Sequence, residues 1–200
     1  MNGAGLAAAL DAACERLAST GDELRELDAE VGDGDLGITI TKGAAAVRTR
    51  LAALAPEATP NEVVLAAAEA FGEANPSTFA SLVSSGLRAG AKATELTEVS
   101  VSEVVALGRV VAATIMRRGK SAVGDKTIID ALVPSLDAAE LTPHDGAAAL
   151  EAAIAGAVAG IDGTTGIAAK KGRAAWAGDR GIGSPDAGAT AYLRFLESLR

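Results

Sequence analysis

Apolar residues recur along the chain at intervals of three, four or seven positions, which is the spacing of an amphipathic α-helix. The first run begins at Leu6, passes through Leu17 and Leu24, and predicts one helix that ends at Gly32. A second run predicts a helix from near Gly37 to Leu54. The pattern therefore favours helices from the start of the chain.

Short polar motifs predict where the later helices begin. A capping box, in which Ser or Thr precedes an acidic residue by three positions, occurs three times. Further starts are indicated by the capping residue Ser77, by the polar stretch 124–127 and by the Ser-Pro-Asp sequence at 184–186. The helix after Ser100 is expected to end at Gly119 in a left-handed position, and the helix after Thr142 to reach Lys170 and Lys171. The three boxes are Thr59–Glu62, Ser100–Glu103 and Thr142–Asp145.

The composition supports an all-α fold in one domain over residues 1–200. Aromatic residues make up only 2% of the chain, so alanine, leucine and valine must fill the core, and alanine-rich faces favour close helix packing over a sheet. A 49% hydrophobic content over 200 residues suffices for a single compact core. We predict about eight helices.

The charge and cysteine content narrow the function classes. A net charge of −8 argues against a nucleic-acid-binding surface, which needs a basic face. Cys14 is the only cysteine, which excludes an internal disulfide and a thiolate metal site and fits a reducing cytoplasm. The N-terminus lacks a basic segment followed by an apolar run, and the apolar stretch 147–161 is short and interrupted by Glu151. We expect a cytoplasmic protein without a membrane span.

The most informative stretch runs from Leu27 to Gly37, where three aspartates lie among three glycines. Converging carboxylates repel one another unless a cation offsets their charge, so Asp28, Asp33 and Asp35 predict a Mg²⁺ site. The glycines let the chain turn sharply, and the free N–H groups of the next helix would face a phosphate beside the aspartates. An EF-hand is rejected, because its twelfth position requires glutamate and is Ala44 here.

The C-terminal part of the chain offers anion-binding candidates. Arg173 or Arg180 could clamp an anion, and the backbone near Gly188 could approach a nucleotide. The single histidine, His144, stands in no catalytic constellation. The sequence therefore predicts no catalytic nucleophile or base.

Three motifs in order resemble the nucleotide-binding L subunit of dihydroxyacetone kinase. They are D-x4-D-G-D-x-G from Asp28, G-D-K-T-I-I-D-A-L-V-P from Gly124, and K-G-R-A…G-D-R-G-I-G-S-P-D-A-G-A-T from Lys171. The resemblance covers nearly the whole chain. It implies a barrel-like bundle of eight antiparallel helices with the nucleotide at one end.

The resemblance also implies a site and partners. Asp28, Asp33 and Asp35 would bind two Mg²⁺ ions that bridge the phosphates of ADP or ATP. A separate K-type subunit would hold the ketone, a phosphoryl-transfer M-type protein or ATP would supply the phosphoryl group, and the chain itself could form a homodimer. Glycerol metabolism is the expected setting. The residues implied to line the nucleotide pocket are Leu36, Gly37, Ile38, Thr39, Ser77, Thr78, Gly119, Ile128, Arg173, Asp186, Ala187 and Gly188.

Two departures from the family pattern lie beside the expected phosphates. Leu36 stands where the family has histidine, and residues 75–78 read Asn-Pro-Ser-Thr instead of a glycine-rich turn. The choice between dihydroxyacetone and a related sugar such as erythrulose stays open. So do two other functions: a kinase acting on another acceptor, such as a fatty acid, and a catalytically silent nucleotide-binding regulator.

Overall fold

The computed structural model describes residues 1–94 and 96–200, and these form nine α-helices and one 3-10 helix with no strand among them. The all-helical prediction is confirmed. The helices are α1 (Gly3–Ala18), α2 (Gly21–Val31), α3 (Asp35–Ala52), α4 (Pro60–Ala74), α5 (Thr78–Thr94), α6 (Val101–Gly119), α7 (Ile128–Glu140), α8 (Gly146–Thr165), the 3-10 helix (Arg173–Gly181) and α9 (Ala187–Ser198).

The starts of α4, α5 and α6 lie where the capping residues in the sequence predict them. The Thr59 hydroxyl accepts from the Glu62 amide at 3.2 Å, and the Glu62 carboxylate accepts from the Thr59 amide at 2.8 Å. Ser100 and Glu103 form the same reciprocal box at the start of α6. Ser77 caps α5 by accepting from the Ala80 amide at 3.0 Å. Each cap satisfies amides that lack a partner within the helix.

The first predicted helix is wrong in one respect, because it is broken into α1 and α2. The Ser19 and Thr20 hydroxyls donate to the carbonyls of Arg16 and Leu17 at 2.6 and 2.8 Å, which ends α1. Side chains of this kind compete with the helical hydrogen bonds. The seven-residue step from Leu17 to Leu24 is compatible with one continuous helix, so the apolar pattern does not indicate the break.

Both predicted boundaries of α8 are corrected, whereas the predicted end of α6 at Gly119 is confirmed and only its left-handed residue differs. Helix α8 begins at Gly146, because the Asp145 carboxylate accepts from the amides of Ala147 and Ala148 at 3.0 Å and is itself the cap. The helix ends at Thr165 rather than at Lys170 and Lys171. At the end of α6, the left-handed residue is Lys120, with φ of 51°, and Gly119 is still helical.

The helices form a closed bundle in which chain neighbours pack on one another. Contacts run in sequence from α3 to α8, and α9 returns to meet α1, α2 and α7. The interior is apolar and rich in alanine, with Leu24, Val63, Ile115 and Ile129 among its most enclosed side chains. This arrangement agrees with the predicted barrel-like bundle.

Helix α8 is the one helix in the described part of the chain that is long and apolar enough to cross a membrane by length and composition. Its buried face contributes Ala149, Ala153, Ile154, Ala157 and Ile161 to the core of the bundle. Core helices of globular domains commonly pass the same test. One face of α8 is therefore packed in the core, and 28% of its apolar 18-residue window is buried in the bundle.

Helices α7 and α8 approach closely at one point. Pro134 lies inside α7 and has no N–H to donate to the Asp130 carbonyl four residues earlier. Gly160 of α8 lies against this carbonyl so closely that an added Cβ would be 1.8 Å from the oxygen. Only glycine fits at that position.

We expect Gly160→Ala to lower the free energy of unfolding by about 1–3 kcal/mol, because the methyl group forces α8 away from α7. The matched control is Gly163→Ala on the same helix, where an added Cβ meets nothing within 4 Å. The control should raise stability by about 0.5–1 kcal/mol, since alanine is the better helix former. Urea unfolding followed by circular dichroism measures both. Equal effects at the two positions would contradict the close-packing argument.

Candidate functional site

Three carboxylates converge at the connection between α2 and α3. Asp28 lies in the last turn of α2, Asp33 lies in the connection and Asp35 is the first residue of α3. Gly34 makes the turn possible with a left-handed φ of 73°. One oxygen from each aspartate lies within 4.8 Å of the others. The predicted clustering is therefore present.

The closeness of the three carboxylates affects the pKa of Asp28. Partial burial raises the pKa of Asp28 above its usual value, and the charges of Asp33 and Asp35 raise it further. The Leu36 amide opposes this shift by donating to the Asp28 carboxylate at 3.3 Å. A set of hard oxygen donors under mutual repulsion is what a divalent cation such as Mg²⁺ requires.

Arg173 supplies a cation to the cluster from the far end of the sequence. Arg173 is the first residue of the 3-10 helix, and its guanidinium donates to the Asp33 carboxylate. Its two terminal nitrogens each lie 3.2 Å from Oδ2 of Asp35. Of the two candidate arginines, the structure thus places Arg173 at the aspartates. Arg180 is exposed and forms no ion pair within the described residues.

The first turn of α3 presents a mixed surface beside the aspartates. The side chains of Leu36 and Thr39 are buried, whereas Ile38 is 47% exposed. Leu36 lies in an apolar cluster, so only its backbone faces the acidic turn. The Thr39 hydroxyl accepts from the Asn75 side chain at 2.9 Å, which ties α3 to the connection before α5.

A cavity of about 440 Å³ opens at the start of α5. Ser77 and Thr78 line it together with Arg118 from the end of α6. Gly119 follows Arg118, and an added Cβ on Gly119 would be 3.5 Å from Leu82, another lining residue. Ile128, at the start of α7, packs on the same apolar cluster as Leu82.

The start of α9 completes the set of predicted positions. Asp186 caps α9 by accepting from the Ala189 amide at 2.8 Å. Ala187 shares the apolar cluster of Leu36, and Gly188 lies beside Phe79 of α5. Contacts thus link the predicted positions along α3, α5 and α9.

Sequence reasoning missed three contributors. In the sequence, Asn75 stands out only as a departure from the family pattern, and Arg118 has the ordinary position of a basic residue near a helix C-terminus. Lys126 is buried, whereas its place in the polar stretch 124–127 indicates only a helix start. The positive φ of Lys126 and the cavity at Arg118 depend on tertiary structure, so no local pattern indicated them.

The fold and site define a class: a helical bundle that presents clustered carboxylates and an arginine at one end. Residues 30–200 match the model of the DAK2 domain, and the chain belongs to this family. It is 31% identical over 174 residues to the ADP-binding subunit DhaL of PEP-dependent dihydroxyacetone kinase 2 from Listeria innocua, covering 84% of this chain and 79% of that protein. The Escherichia coli DhaL subunit is 29% identical, with 93% and 90% covered.

Other relatives are longer. A D-erythrulose kinase from Mycolicibacterium smegmatis is 35% identical over 92% of this chain, which spans 33% of that protein. The dihydroxyacetone kinase from C. freundii, solved with AMP-PNP and Mg²⁺, superposes with a TM-score of 0.74 at 24% identity over 96% of this chain and 33% of its own. The shared fold is therefore clear, and the chain spans about a third of these two proteins.

The cap of α9 predicts a pH dependence of stability. Burial raises the pKa of Asp186 to about 6, from an ordinary value of 3.8. The native state therefore binds the carboxyl proton more tightly than the unfolded chain does. The stability that this proton contributes is complete below about pH 4 and is lost as the pH rises to about 6. We expect the free energy of unfolding of the wild type, relative to Asp186→Asn, to fall between about pH 4 and 6 and to level off above.

Asparagine is a suitable replacement because it also caps helices. Urea unfolding at pH 4.5, 5.5, 6.5 and 7.5 gives the comparison, with Asp145→Asn at the exposed cap of α8 as the control for replacing any aspartate cap. A difference between wild type and Asp186→Asn that rises with pH would show that the carboxyl group is stabilised in its charged form.

Proposed function

We propose that this chain is the ADP-binding subunit of a dihydroxyacetone-type kinase, and that it binds a Mg²⁺-nucleotide for phosphoryl transfer to a small ketose. The observation that carries the proposal is the convergence of Asp28, Asp33 and Asp35 with Arg173 at one end of the bundle. Membership of the DAK2 family and the similarity to DhaL subunits over most of their length support it.

The donor set fits a magnesium site. Three carboxylates supply only oxygen ligands, which Mg²⁺ prefers, and their mutual repulsion would be relieved by a divalent cation. We propose that Asp28, Asp33 and Asp35 hold two Mg²⁺ ions. When bound, such ions neutralise the charge of the nucleotide phosphates.

The chain's own groups would orient the nucleotide around this centre. The start of α3, at Gly37 and Ile38, directs free amides and the positive end of the helix dipole toward an anion. Arg173 adds a guanidinium suited to phosphate oxygens. We assign the base and ribose to the positions along α5, α6, α7 and α9, at Ser77, Thr78, Gly119, Ile128 and residues 186–188.

The proposed chemistry needs no nucleophile or base from this chain. Phosphoryl transfer is achieved mainly by positioning and charge neutralisation. Cys14 is buried within the bundle, and burial raises the pKa of its thiol to about 11, which keeps it protonated. His144 is exposed beside the start of α8. Neither residue belongs to the acidic cluster.

The ketone and the phosphoryl donor belong to partners in this proposal. The E. coli and L. innocua relatives are ADP-binding subunits that match this chain over 90% and 79% of their length, and by analogy with them we propose that a separate K-type subunit holds the ketone. The E. coli and L. innocua relatives are PEP-dependent, and a phosphoryl-transfer M-type protein is therefore proposed as donor, with ATP as the alternative.

We expect Asp33→Asn to weaken ADP binding at least about tenfold in Mg²⁺ and to abolish its dependence on Mg²⁺, because one hard ligand is lost. Isothermal titration with and without Mg²⁺ measures both effects. Glu57→Gln is the control, since it removes one negative charge from the exposed connection between α3 and α4. Unchanged Mg²⁺-dependent binding in Asp33→Asn would reject the metal assignment.

The kinase assignment is tested by reconstitution. The chain is mixed with a K-type subunit and supplied either with ATP or with an M-type protein and its donor, and phosphorylation of dihydroxyacetone and of erythrulose is followed. Transfer to either ketone that needs both subunits is the expected result. Nucleotide binding without transfer to either ketone would favour a silent regulator or a kinase for another acceptor.

A further inference from the structure

Lys126 has an unusual conformation for a lysine. It lies one residue before the cap of α7, its φ is 61°, and its side chain is only 3% exposed. A positive φ strains a residue that carries a Cβ, and burying an ammonium group costs free energy unless its charge is compensated. Two unfavourable features at one residue require a compensating interaction.

That interaction is a complete set of hydrogen bonds to backbone carbonyls. The Lys126 ammonium donates to Gly181 at 2.6 Å, to Ile167 at 2.9 Å and to Thr165 at 3.2 Å. An ammonium has three donors, so all of them are used. No carboxylate lies within ion-pair distance of it among the described residues. The Lys126 ammonium is therefore stabilised by backbone carbonyls rather than by a carboxylate.

The three carbonyls belong to the two ends of one loop. We define the Arg173 loop as residues 166–182, between α8 and α9. Thr165 precedes it, and Gly181 lies near its end; the Gly183 amide also donates to the Thr165 carbonyl at 2.9 Å. The Lys126 ammonium thus holds both ends of the loop together against the start of α7.

Between these ends the 3-10 helix packs on α2, and its Ala177 is buried. Gly172 and Gly178 have positive φ values, and Trp176 is 86% exposed. Lys170 makes the other attachment to the α6–α7 connection, through its amide to Asp125 at 3.0 Å and its ammonium to Gly124 at 2.8 Å. Besides this contact with α2 and the ion pairs of Arg173 itself, the loop is attached at its base by Lys170 and Lys126, and Lys126 is the buried attachment.

We propose that Lys126 is a positioning residue: it holds the Arg173 loop so that the guanidinium lies over Asp33 and Asp35, and thereby sets nucleotide affinity without touching the nucleotide. The inference rests on the proposed function. This role links the start of α7, where Ile128 lies, to the arginine beside the aspartates. In this proposal Lys126 does not contact phosphate, as a surface lysine would.

The test is a double-mutant cycle on ADP affinity in Mg²⁺. Lys126→Met keeps most of the unbranched side chain and removes its charge and donors. We expect Lys126→Met and Arg173→Met each to weaken binding about tenfold, and the double variant to bind within about twofold of Arg173→Met, because both changes act through one contact. Additive losses, or wild-type affinity in Lys126→Met, would overturn the proposal.

A second measurement does not depend on the nucleotide. Trp176 is the only tryptophan in the chain and lies in the Arg173 loop. Its fluorescence anisotropy decay should gain a larger nanosecond component in Lys126→Met, while circular dichroism shows unchanged helix content. Lys170→Met is the control, because it removes an exposed attachment and leaves the backbone bond of Lys170 in place. An unchanged anisotropy decay in Lys126→Met would overturn the proposal.

The outcomes separate the two claims. If the wild type itself fails to bind ADP, the proposed function fails and the anisotropy decay alone decides the role of Lys126. If Lys126→Met does not fold, Lys126→Gln, which retains a donating side chain, takes its place in both measurements. Loss of helix content in Lys126→Gln as well would overturn the proposal, because Lys126 would then support the whole bundle rather than one loop.

Discussion

Repulsion among three carboxylates is the constraint on which the site depends. Asp28, Asp33 and Asp35 are brought together by one short connection, and nothing within that connection offsets their charge. The compensating guanidinium comes from Arg173, 138 residues beyond Asp35. In this structure the acidic turn is therefore paired with a cation that only the folded chain brings beside it.

Close helix packing provides the support for this placement. An added Cβ on Gly37 would lie 2.1 Å from the Gly21 carbonyl, so α2 and α3 meet with almost no space beside the acidic turn. At the contact between α7 and α8, Gly160 lies equally close to the Asp130 carbonyl, which holds α8 against α7. Since the Arg173 loop begins where α8 ends, the two close contacts determine where the aspartates and the loop's first anchor lie.

Local rules explain which parts of this structure could be predicted from the sequence. The boxes at Thr59 and Ser100 were predictable because cap and helix are adjacent in the chain. The Thr142 box was wrong because Asp145, inside it, is itself an effective cap. The spacing of the aspartates indicated a cluster, but the placement of Arg173 rather than Arg180 and the burial of Lys126 depend on contacts between distant residues, which no local pattern encodes.

The net charge of −8 does not prevent an anion from binding near Arg173 and Arg118, because the basic side chains are unevenly paired with acidic ones. Elsewhere, arginines are neutralised in pairs such as Arg48 with Asp11 and Arg109 with Asp137. At the end of α6, Arg118 lines the cavity beside Ser77 and has no ion-pair partner among the described residues. Screening limits the reach of exposed charges to about 10 Å at ordinary ionic strength, so a bound anion responds to the charges around its own site rather than to the net charge of the chain.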